Sequence, residues 1–403
     1  MGEDRIGDSL FPGARRARSY GDEETAGDLS GGDASVAGTG SGAPSSVVAP
    51  TSPVLPPPPA IVVPPPPMVV VEQQPESGRP DKRGESDSRG TLVDLPQSSL
   101  KPATWGWRGR LNRWSGAVAR LPPSAAERRY RAERVAVLHT FGATQRVFVA
   151  NPKGAAGKTL VTLGLAATFG RYRGGYTLAW DNNETRGTLG LLAEPGADEY
   201  NVVDLLAAIG EFVDTRASVG GLGRFVRPQS AHFDVLASDD VPGRLDIIDG
   251  GAVVRLVDVL SRFYRCIVID TGNNARAPNW LAASVAADCL VVPTTVRADA
   301  AETGLWMLHH LIRLGRGALV RDAVAVVTCA DPRVDEGLLS AIVDRYREVV
   351  RAVVVLPYDP VMDTGGPVSY RDLSWDLRRA LLTAAVEVVT SMARKADEGG
   401  RRG

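Results

Sequence analysis

The sequence predicts an α/β fold with a mostly parallel central sheet flanked by helices, preceded by a long disordered Pro-rich N-terminal tail. Seven short runs are dominated by Val, Ile and Leu, and stretches with helical periodicity, such as VVRLVDVLSRF, separate them. Continuous apolar runs are typical of strands buried on both faces, and strands that alternate with helices form parallel sheets. The predicted strands cover residues 146–151, 176–181, 232–238, 266–271, 288–294, 323–328 and 352–357.

Composition divides the chain into three segments. Residues 1–100 are rich in Gly, Ser, Pro, Asp and Glu and are expected to form a disordered tail. Their stretch VLPPPPAIVVPPPPMVVVEQQPE fits a docking strip for a proline-recognising groove and a spacer about equally well. Residues 101–135 form a Trp/Arg-rich amphipathic linker segment, and residues 136–403 are expected to form the α/β domain. The domain ends in an amphipathic helix, about 371–396, for which docking on the sheet is favoured over a membrane-targeting role.

Tryptophans and arginines interleave in the linker segment, as in GWRGRLNRWSG. If residues 107–120 are helical, Leu111, Trp114, Val118 and Leu121 share one apolar face flanked by arginines. Such a face is typical of an interfacial membrane helix or a nucleic-acid patch. It is equally typical of a helix that packs its tryptophans on the following domain. Packing is favoured, because the segment is short and prolines confine it.

The overall charge and the cysteines argue against several classes of protein. Lys and Arg total 46 and Asp and Glu 47, so the net charge does not indicate a membrane surface or DNA as partner. Cys266, Cys289 and Cys329 lie in or beside apolar runs without CxxC or Cys/His pairing, so they are expected in the core and not at a metal site. No apolar run approaches the ~20 residues of a membrane helix, and no apolar signal segment opens the chain. We expect a cytoplasmic protein, with a peripheral position at the inner face of the membrane as an alternative.

The stretch NPKGAAGKTL, residues 151–160, follows a predicted strand and opens a predicted helix. A helix N-terminus presents unpaired N–H groups to an anion, and glycines let the backbone approach phosphate oxygens closely. A lysine in this position can neutralise phosphates, and a threonine hydroxyl can ligate Mg²⁺. The candidate nucleotide-binding residues of the loop are Lys153, Gly154, Ala155, Ala156, Gly157, Lys158, Thr159 and Leu160.

Acidic residues stand at the ends of two later strands. Asp181 follows the second predicted strand, in AWDNNETRGTLG, and Asp270 ends the apolar run of RCIVIDTGNN. Because parallel strands end at the same edge of a sheet, both carboxylates are expected near the loop. For Asp181 alone an ordinary turn role is the alternative interpretation.

The motif K-G-x-x-G-K-T resembles the deviant Walker A loop of the MinD/ParA family of P-loop ATPases, over residues 136–403. The resemblance implies ATP and Mg²⁺ as cofactors and an ATP-sandwich homodimer in which Lys153 reaches the partner's phosphates. Two loop positions differ from the family: Ala155 replaces a glycine, which requires a backbone angle that a side chain tolerates, and Leu160 replaces a frequent threonine. The catalytic residues implied are Lys153, Lys158, Asp181 and Asp270. The resemblance also implies Thr159, Asp181 and Asp270 as the residues that hold Mg²⁺.

Other stretches extend the resemblance. Asp181 matches the first acid of the family's switch I, and Asn183 falls where many relatives have a second Asp, which implies slow hydrolysis. DTGNN resembles switch II. Candidate contacts to the base are Thr328 and Asp331 in one loop and Pro357, Tyr358 and Asp359 in another, with ordinary strand-to-loop turns as the alternative.

The resemblance is nearest to the actinobacterial MinD-like ATPases encoded with type VII (ESX) secretion systems, which also carry a Pro-rich N-terminus and a Gly-Trp-Arg segment. It implies a slow molecular switch for the spatial organisation or regulation of a partner machinery. The protein partner is unidentified and is expected to contact the Pro-rich tail or the Trp/Arg segment. A non-hydrolysing nucleotide-dependent scaffold and a ParA-like DNA-partitioning ATPase are the alternatives.

Overall fold

Eight strands form one sheet in the part of the chain that the computed structural model describes, residues 101–116, 118–183, 187–196, 200–212, 219–239 and 248–400. The expected tail, residues 1–100, lies outside the described residues. The strands are β1 (Gln145–Val149), β2 (Thr177–Asn182), β3 (Arg227–Gln229), β4 (Phe233–Leu236), β5 (Cys266–Thr271), β6 (Cys289–Thr295), β7 (Val324–Thr328) and β8 (Ala352–Leu356). All seven predicted strands are confirmed, and their ends lie within two residues of the prediction.

The strand order is β3-β4-β2-β5-β1-β6-β7-β8, and every neighbouring pair is parallel except β3 with β4. The predicted mostly parallel sheet is therefore confirmed. The sequence did not reveal β3, because three residues are too short for a pattern. Its Pro228 is tolerated because β3 is an edge strand.

Helices cover both faces of this sheet. They are α1 (Gly106–Trp114), α2 (Ala125–Ala136), α3 (Lys158–Arg173), α4 (Leu189–Leu192), α5 (Val202–Ala207), α6 (Val219–Leu222), α7 (Gly250–Phe263), α8 (Pro278–Ala286), α9 (Ala298–Arg313), α10 (Gly317–Arg321), α11 (Glu336–Arg347) and α12 (Trp375–Gly400). Side chains alternate along β1, so that Phe148 packs in one core with Trp280, whereas Val147 and Val149 pack in the other. None of the helices within the described residues has the length and apolar character needed to cross a bilayer.

The last helix, α12, docks on the sheet as predicted. Leu377, Leu381 and Val388 are buried in the same core as strand residues. The helix approaches α3 closely at Gly164, where a side chain would lie only 2.7 Å from a methyl group of Leu381. The small residue in α3 thus allows the two helices to pack.

The Trp/Arg segment packs differently from the prediction. Trp105 lies against Tyr130 and Trp375, with ring centroids 5.0 and 5.6 Å apart. The helix that follows ends at Trp114, short of the predicted residue 120, and leaves Trp107 67% and Trp114 86% exposed. The prediction that the tryptophans pack on the domain is therefore confirmed for Trp105 and wrong for Trp107 and Trp114.

Candidate nucleotide-binding site

The loop 150–157 connects the central strand β1 to the N-terminus of α3. The chain turns through Ala155 and Gly157, whose φ angles are 59° and 86°, and α3 begins at Lys158. No side chain caps this helix, so its first N–H groups remain available to an anion. Because β1 lies between β5 and β6, the loop stands over the carboxyl edge of the sheet, where open α/β sheets bind ligands.

Ala155 adopts a left-handed backbone conformation, with φ of 59°. The expectation of an angle that a side chain tolerates is therefore wrong. Left-handed backbone brings Cβ too close to the following carbonyl oxygen. The position suits the glycine that the family pattern has there, and alanine holds it under strain.

Replacing Ala155 with glycine should raise the free energy of unfolding by about 0.5–1 kcal/mol, because relief of the strain outweighs the greater freedom of glycine in the unfolded chain. Urea unfolding of the nucleotide-free protein measures it. Ala156→Gly is the matched control: Ala156 is buried and lacks a positive φ, so this variant should be destabilised. Equal shifts in the two variants would contradict the interpretation.

Lys158 lies under the loop with its ammonium group held in place. Its Nζ donates to Asn273 Oδ1 at 2.6 Å and to the Lys153 carbonyl at 3.2 Å. Burial lowers the pKa of Lys158, and the neighbouring Asp270 carboxylate opposes this shift. A partly desolvated cation beside a helix N-terminus is a strong partner for an anion.

Thr159, in the first turn of α3, joins the loop to Asp270 at the end of β5. Its Oγ1 donates to Asp270 Oδ2 at 2.8 Å and lies 2.9 Å from the Thr188 hydroxyl. Burial raises the pKa of Asp270 to about 7, and the charge of Asp181 acts in the same direction. Asp181 and Asp270 are paired in the register of β2 and β5, so two buried carboxylates stand side by side. The charge of Lys158 offsets part of the rise in the pKa of Asp270.

Asp181 is enclosed by hydrogen-bond donors. Its oxygens accept from Asn183 Nδ2 at 2.5 Å, Ser238 Oγ at 3.1 Å and the Leu189 N–H at 3.2 Å. Burial nevertheless raises the pKa of Asp181. A side chain at Gly187 would collide with this carboxylate, so only glycine fits at that position beside Asp181.

Lys153 points towards the start of α9. Its Nζ lies 3.0 Å from Asp299 Oδ2, and both side chains are 42% exposed. Arg297 pairs with the same carboxylate at 3.1 Å, and the two cations hold the pKa of Asp299 well below its usual range. Lys153 and Lys158 thus have different environments, the first exposed and paired, the second buried.

Of three further residues predicted to bind nucleotide, two lie at the loop and one lies in an apolar pocket. Thr328 lies against the loop, since a side chain on Gly157 would meet its Oγ1 at 3.5 Å. Leu160 instead lines a narrow apolar pocket with Leu356 and Leu373. Gly154 lies near Asn273: a side chain at Gly154 would be 3.7 Å from the Asn273 amide nitrogen.

The candidate base contacts are engaged in local turns. Asp331 accepts from the Arg333 N–H at 2.7 Å. Tyr358 donates to Asp363 at 2.5 Å. Asp359 caps the short helix Pro360–Asp363 and accepts from the Ser374 N–H at 2.8 Å. For these three the turn interpretation is favoured, and Pro357 is a half-buried residue directly after β8.

The site also contains residues to which the sequence analysis gave no role. Asn273 holds Lys158, Thr188 contacts Thr159, Ser238 binds Asp181 and Asp299 binds Lys153. Asn273 lies in the DTGNN stretch, so its motif could have indicated a role in the site. The other three have no signal in the sequence, because their partners are distant along the chain.

The donor set fits MgATP. Asp270 Oδ1 and Thr328 Oγ1 are buried, and no hydrogen-bond partner is found for them among the described residues. Mg²⁺ is usually held by one or two carboxylates together with a hydroxyl and phosphate oxygens, which matches Asp181, Asp270 and Thr159. No cluster of three or more His, Cys, Asp or Glu that could hold a metal occurs in the described ranges. All three cysteines are free and buried, as expected for core residues.

No protein-family model and no curated protein matches the chain. Solved structures similar to it include a ParA family ATPase from Chlorobium tepidum TLS, with 17% identity and a TM-score of 0.47, which covers 60% of this chain and 98% of that one. The septum site-determining protein MinD from Pyrococcus horikoshii OT3, complexed with Mg-ADP, has 17% identity and a TM-score of 0.46, with 63% and 97% covered. The MinC:MinD complex of Aquifex aeolicus has 15% identity and a TM-score of 0.44, with 60% and 94% covered.

Proposed function

We propose that this chain is a MgATP-binding P-loop ATPase that dimerises with ATP bound and acts as a slow molecular switch on a partner machinery. The single observation that carries the proposal is the contact of Thr159 with Asp270 directly beside the buried ammonium group of Lys158. These three side chains lie together at the N-terminus of α3. The cation can bind phosphates, and the hydroxyl and the carboxylate can hold a metal ion.

Each residue has a defined part in this proposal. Lys158 binds terminal phosphate oxygens, and the N–H groups of the loop and of the first turn of α3 orient them. Thr159, Asp181 and Asp270 hold Mg²⁺, directly or through water. The ion, when bound, neutralises charge on the phosphates and replaces the mutual repulsion of the two carboxylates with attraction.

Hydrolysis is proposed to be slow because of Asn183. Its amide donates to Asp181 at 2.5 Å, so it is directed at a neighbouring carboxylate, and an amide cannot act as an anionic general base. The same contact favours a second candidate function, a scaffold that binds ATP and dimerises without hydrolysis. Slow or absent turnover suits a protein whose output is a contact with a partner.

Single-turnover hydrolysis of radiolabelled ATP with Mg²⁺ separates the two candidates. Turnover above the background of a Lys158→Ala variant supports the ATPase. Binding without turnover supports the scaffold. Absence of MgATP binding by the full chain would overturn both.

Lys153→Ala is expected to retain MgATP binding within a few-fold and to lose ATP-dependent dimerisation. The reason is that Lys153 is exposed and paired with Asp299, so in the proposed dimer it exchanges that partner for the phosphates of the second protomer. Sedimentation velocity with and without MgATP measures the change.

Asp299→Asn is the counterpart of this variant. It removes the in-chain partner of Lys153 and should strengthen ATP-dependent dimerisation slightly, because solvent screens an exposed ion pair and its loss costs little. Normal dimerisation by Lys153→Ala would refute the role of this lysine.

The partner is proposed to be a type VII secretion apparatus, with a septum site or a DNA cargo as alternatives. The proline-rich tail and the Trp/Arg segment are the proposed contact regions. Salt-dependent DNA binding by the ATP-bound form would favour the ParA-like DNA-partitioning function.

A further inference from the structure

The helix α1 presents two tryptophans to solvent. Trp107 and Trp114 are 67% and 86% exposed, and Val118, just beyond the helix, is 88% exposed. Residues seven apart lie on the same face of a helix, about 10 Å apart along its axis. Arg110, three residues after Trp107, lies on this face as well. Exposed side chains of this size that share one face usually mark a binding surface.

Specific contacts fix the orientation of α1. On its opposite face the Asn112 amide donates to the carbonyls of Ala103 and Leu121, at 2.9 and 3.1 Å, and its Oδ1 accepts from the Leu121 N–H at 2.9 Å. A side chain at Gly109 would collide with the backbone of Thr104. The helix therefore cannot rotate to bury its tryptophans without breaking these hydrogen bonds.

The segment that carries this face has a strong local charge. Residues 101–136 contain nine basic side chains and two acidic ones, a net charge of +7, whereas the whole chain carries −1. Both acids are buried and paired, Glu127 with Arg131 and Glu133 with Arg379. The basic side chains are Lys101, Arg108, Arg110, Arg113, Arg120, Arg128, Arg129, Arg131 and Arg134.

A cavity of about 680 Å³ extends the positive charge onto the domain. It is lined by tyrosines, Trp375 and basic side chains. Four of these cations form no ion pair with a carboxylate of the described residues: Lys101, Arg134, Arg171 and Arg378. The Arg134 guanidinium lies over the ring of Tyr130, 5.6 Å from its centroid, so an anion would find a partly ordered cation there.

We propose that α1 and the surrounding basic segment dock on the surface of an anionic phospholipid bilayer. Indole rings occupy the boundary between headgroups and acyl chains, while basic side chains contact the anionic headgroups. The two features occur here together on one short, rigidly oriented helix. A nucleic-acid duplex would use the arginines, but its bases are stacked inside and would leave Trp107, Trp114 and Val118 without an apolar environment.

Flotation of the full-length protein with vesicles tests this proposal. Vesicles of equimolar phosphatidylglycerol and phosphatidylcholine should bind the protein, and vesicles of phosphatidylcholine alone should not. The double variant Trp107→Ser/Trp114→Ser should bind the anionic vesicles at least about tenfold more weakly than the wild type, because the apolar area of both rings is lost. Trp306→Ser, on α9, is the matched control with an exposed tryptophan outside the segment and should bind as the wild type.

A second readout reports on the indoles directly. Brominated phosphatidylcholine in the anionic vesicles should quench tryptophan fluorescence in the wild type and much less in the double variant. Arg110→Glu should weaken binding, and moderate salt should weaken it further, since salt screens exposed charges. Lys158→Ala should still bind vesicles, which keeps this test separate from the nucleotide site.

Failure of the wild type to float with anionic vesicles would overturn the proposal, and so would unchanged binding by the double variant. Binding of duplex DNA without binding to vesicles would assign the surface to nucleic acid and overturn it as well.

Discussion

Lys158→Ala is expected to weaken MgATP binding by roughly 30- to 150-fold, since a charge-assisted hydrogen bond to a phosphate contributes about 2–3 kcal/mol. The effect should be large because the ammonium group is already partly desolvated and positioned. Asn273 and the Lys153 carbonyl hold it in place. Binding therefore does not have to order a mobile side chain.

Isothermal titration with ATP and Mg²⁺ measures this loss. Lys395→Ala is a matched control, because Lys395 pairs with Asp288 at the amino end of β6, on the edge of the sheet opposite the loop. Its affinity for MgATP should equal that of the wild type. Unchanged affinity in Lys158→Ala, with a folded protein by circular dichroism, would remove the loop from the proposed site.

Asp270→Asn is expected to stabilise the nucleotide-free protein and to weaken Mg²⁺-dependent nucleotide binding. The variant removes one of two adjacent buried charges and keeps an oxygen that can accept the Thr159 hydroxyl. At pH 8 we expect a gain of on the order of 2 kcal/mol in the free energy of unfolding. The affinity for MgATP should fall about 10- to 100-fold, as is typical when a group that holds a metal through water is lost.

The pH dependence gives this prediction a definite sign. The pKa of Asp270 is raised from 3.8 to about 7 in the folded protein, first by burial and then by the charge of Asp181. Between about pH 4 and pH 7 the folded state therefore binds more protons than the unfolded state. The contribution of Asp270 to the free energy of unfolding should therefore decrease as the pH rises through this window and level off above it.

Urea unfolding at several pH values, without nucleotide, tests the pH dependence. In Asp270→Asn the decrease between pH 4 and 7 should become shallower, with a residual slope from Asp181, whose pKa burial also raises. Asp249→Asn is the control, because Asp249 caps α7 and an asparagine caps a helix equally well. A steeper decrease in Asp270→Asn than in the wild type would contradict the assignment.

Much of the fold could be predicted because the strands are nearly continuous runs of Val, Ile and Leu. A run such as CIVIDT can be placed from its own residues, and β5 occupies exactly those positions in the structure, Cys266–Thr271. The three residues of β3 carry no such pattern. The length of α1 was overestimated because apolar spacing continues to residue 121, whereas the helix ends at Trp114.

The part of the candidate site that lies in one short motif could be predicted from the sequence. The loop, Thr159 and Lys158 are contiguous in the sequence, and parallel strand order brings Asp181 and Asp270 to the same edge. The left-handed conformation of Ala155 was not foreseen, because φ depends on how the loop closes against its neighbours.

The sequence by itself determined seven strands, their order along the chain and the phosphate-loop pattern, because these depend on local periodicity and adjacent residues. Only the tertiary structure decided which side chains face each other and which face solvent. The pairing of Lys153 with Asp299 and the outward position of Trp107 depend on contacts between segments that are distant in sequence, or on hydrogen bonds such as those of Asn112. Periodicity defines a face of a helix, but the packing partner decides which face is buried.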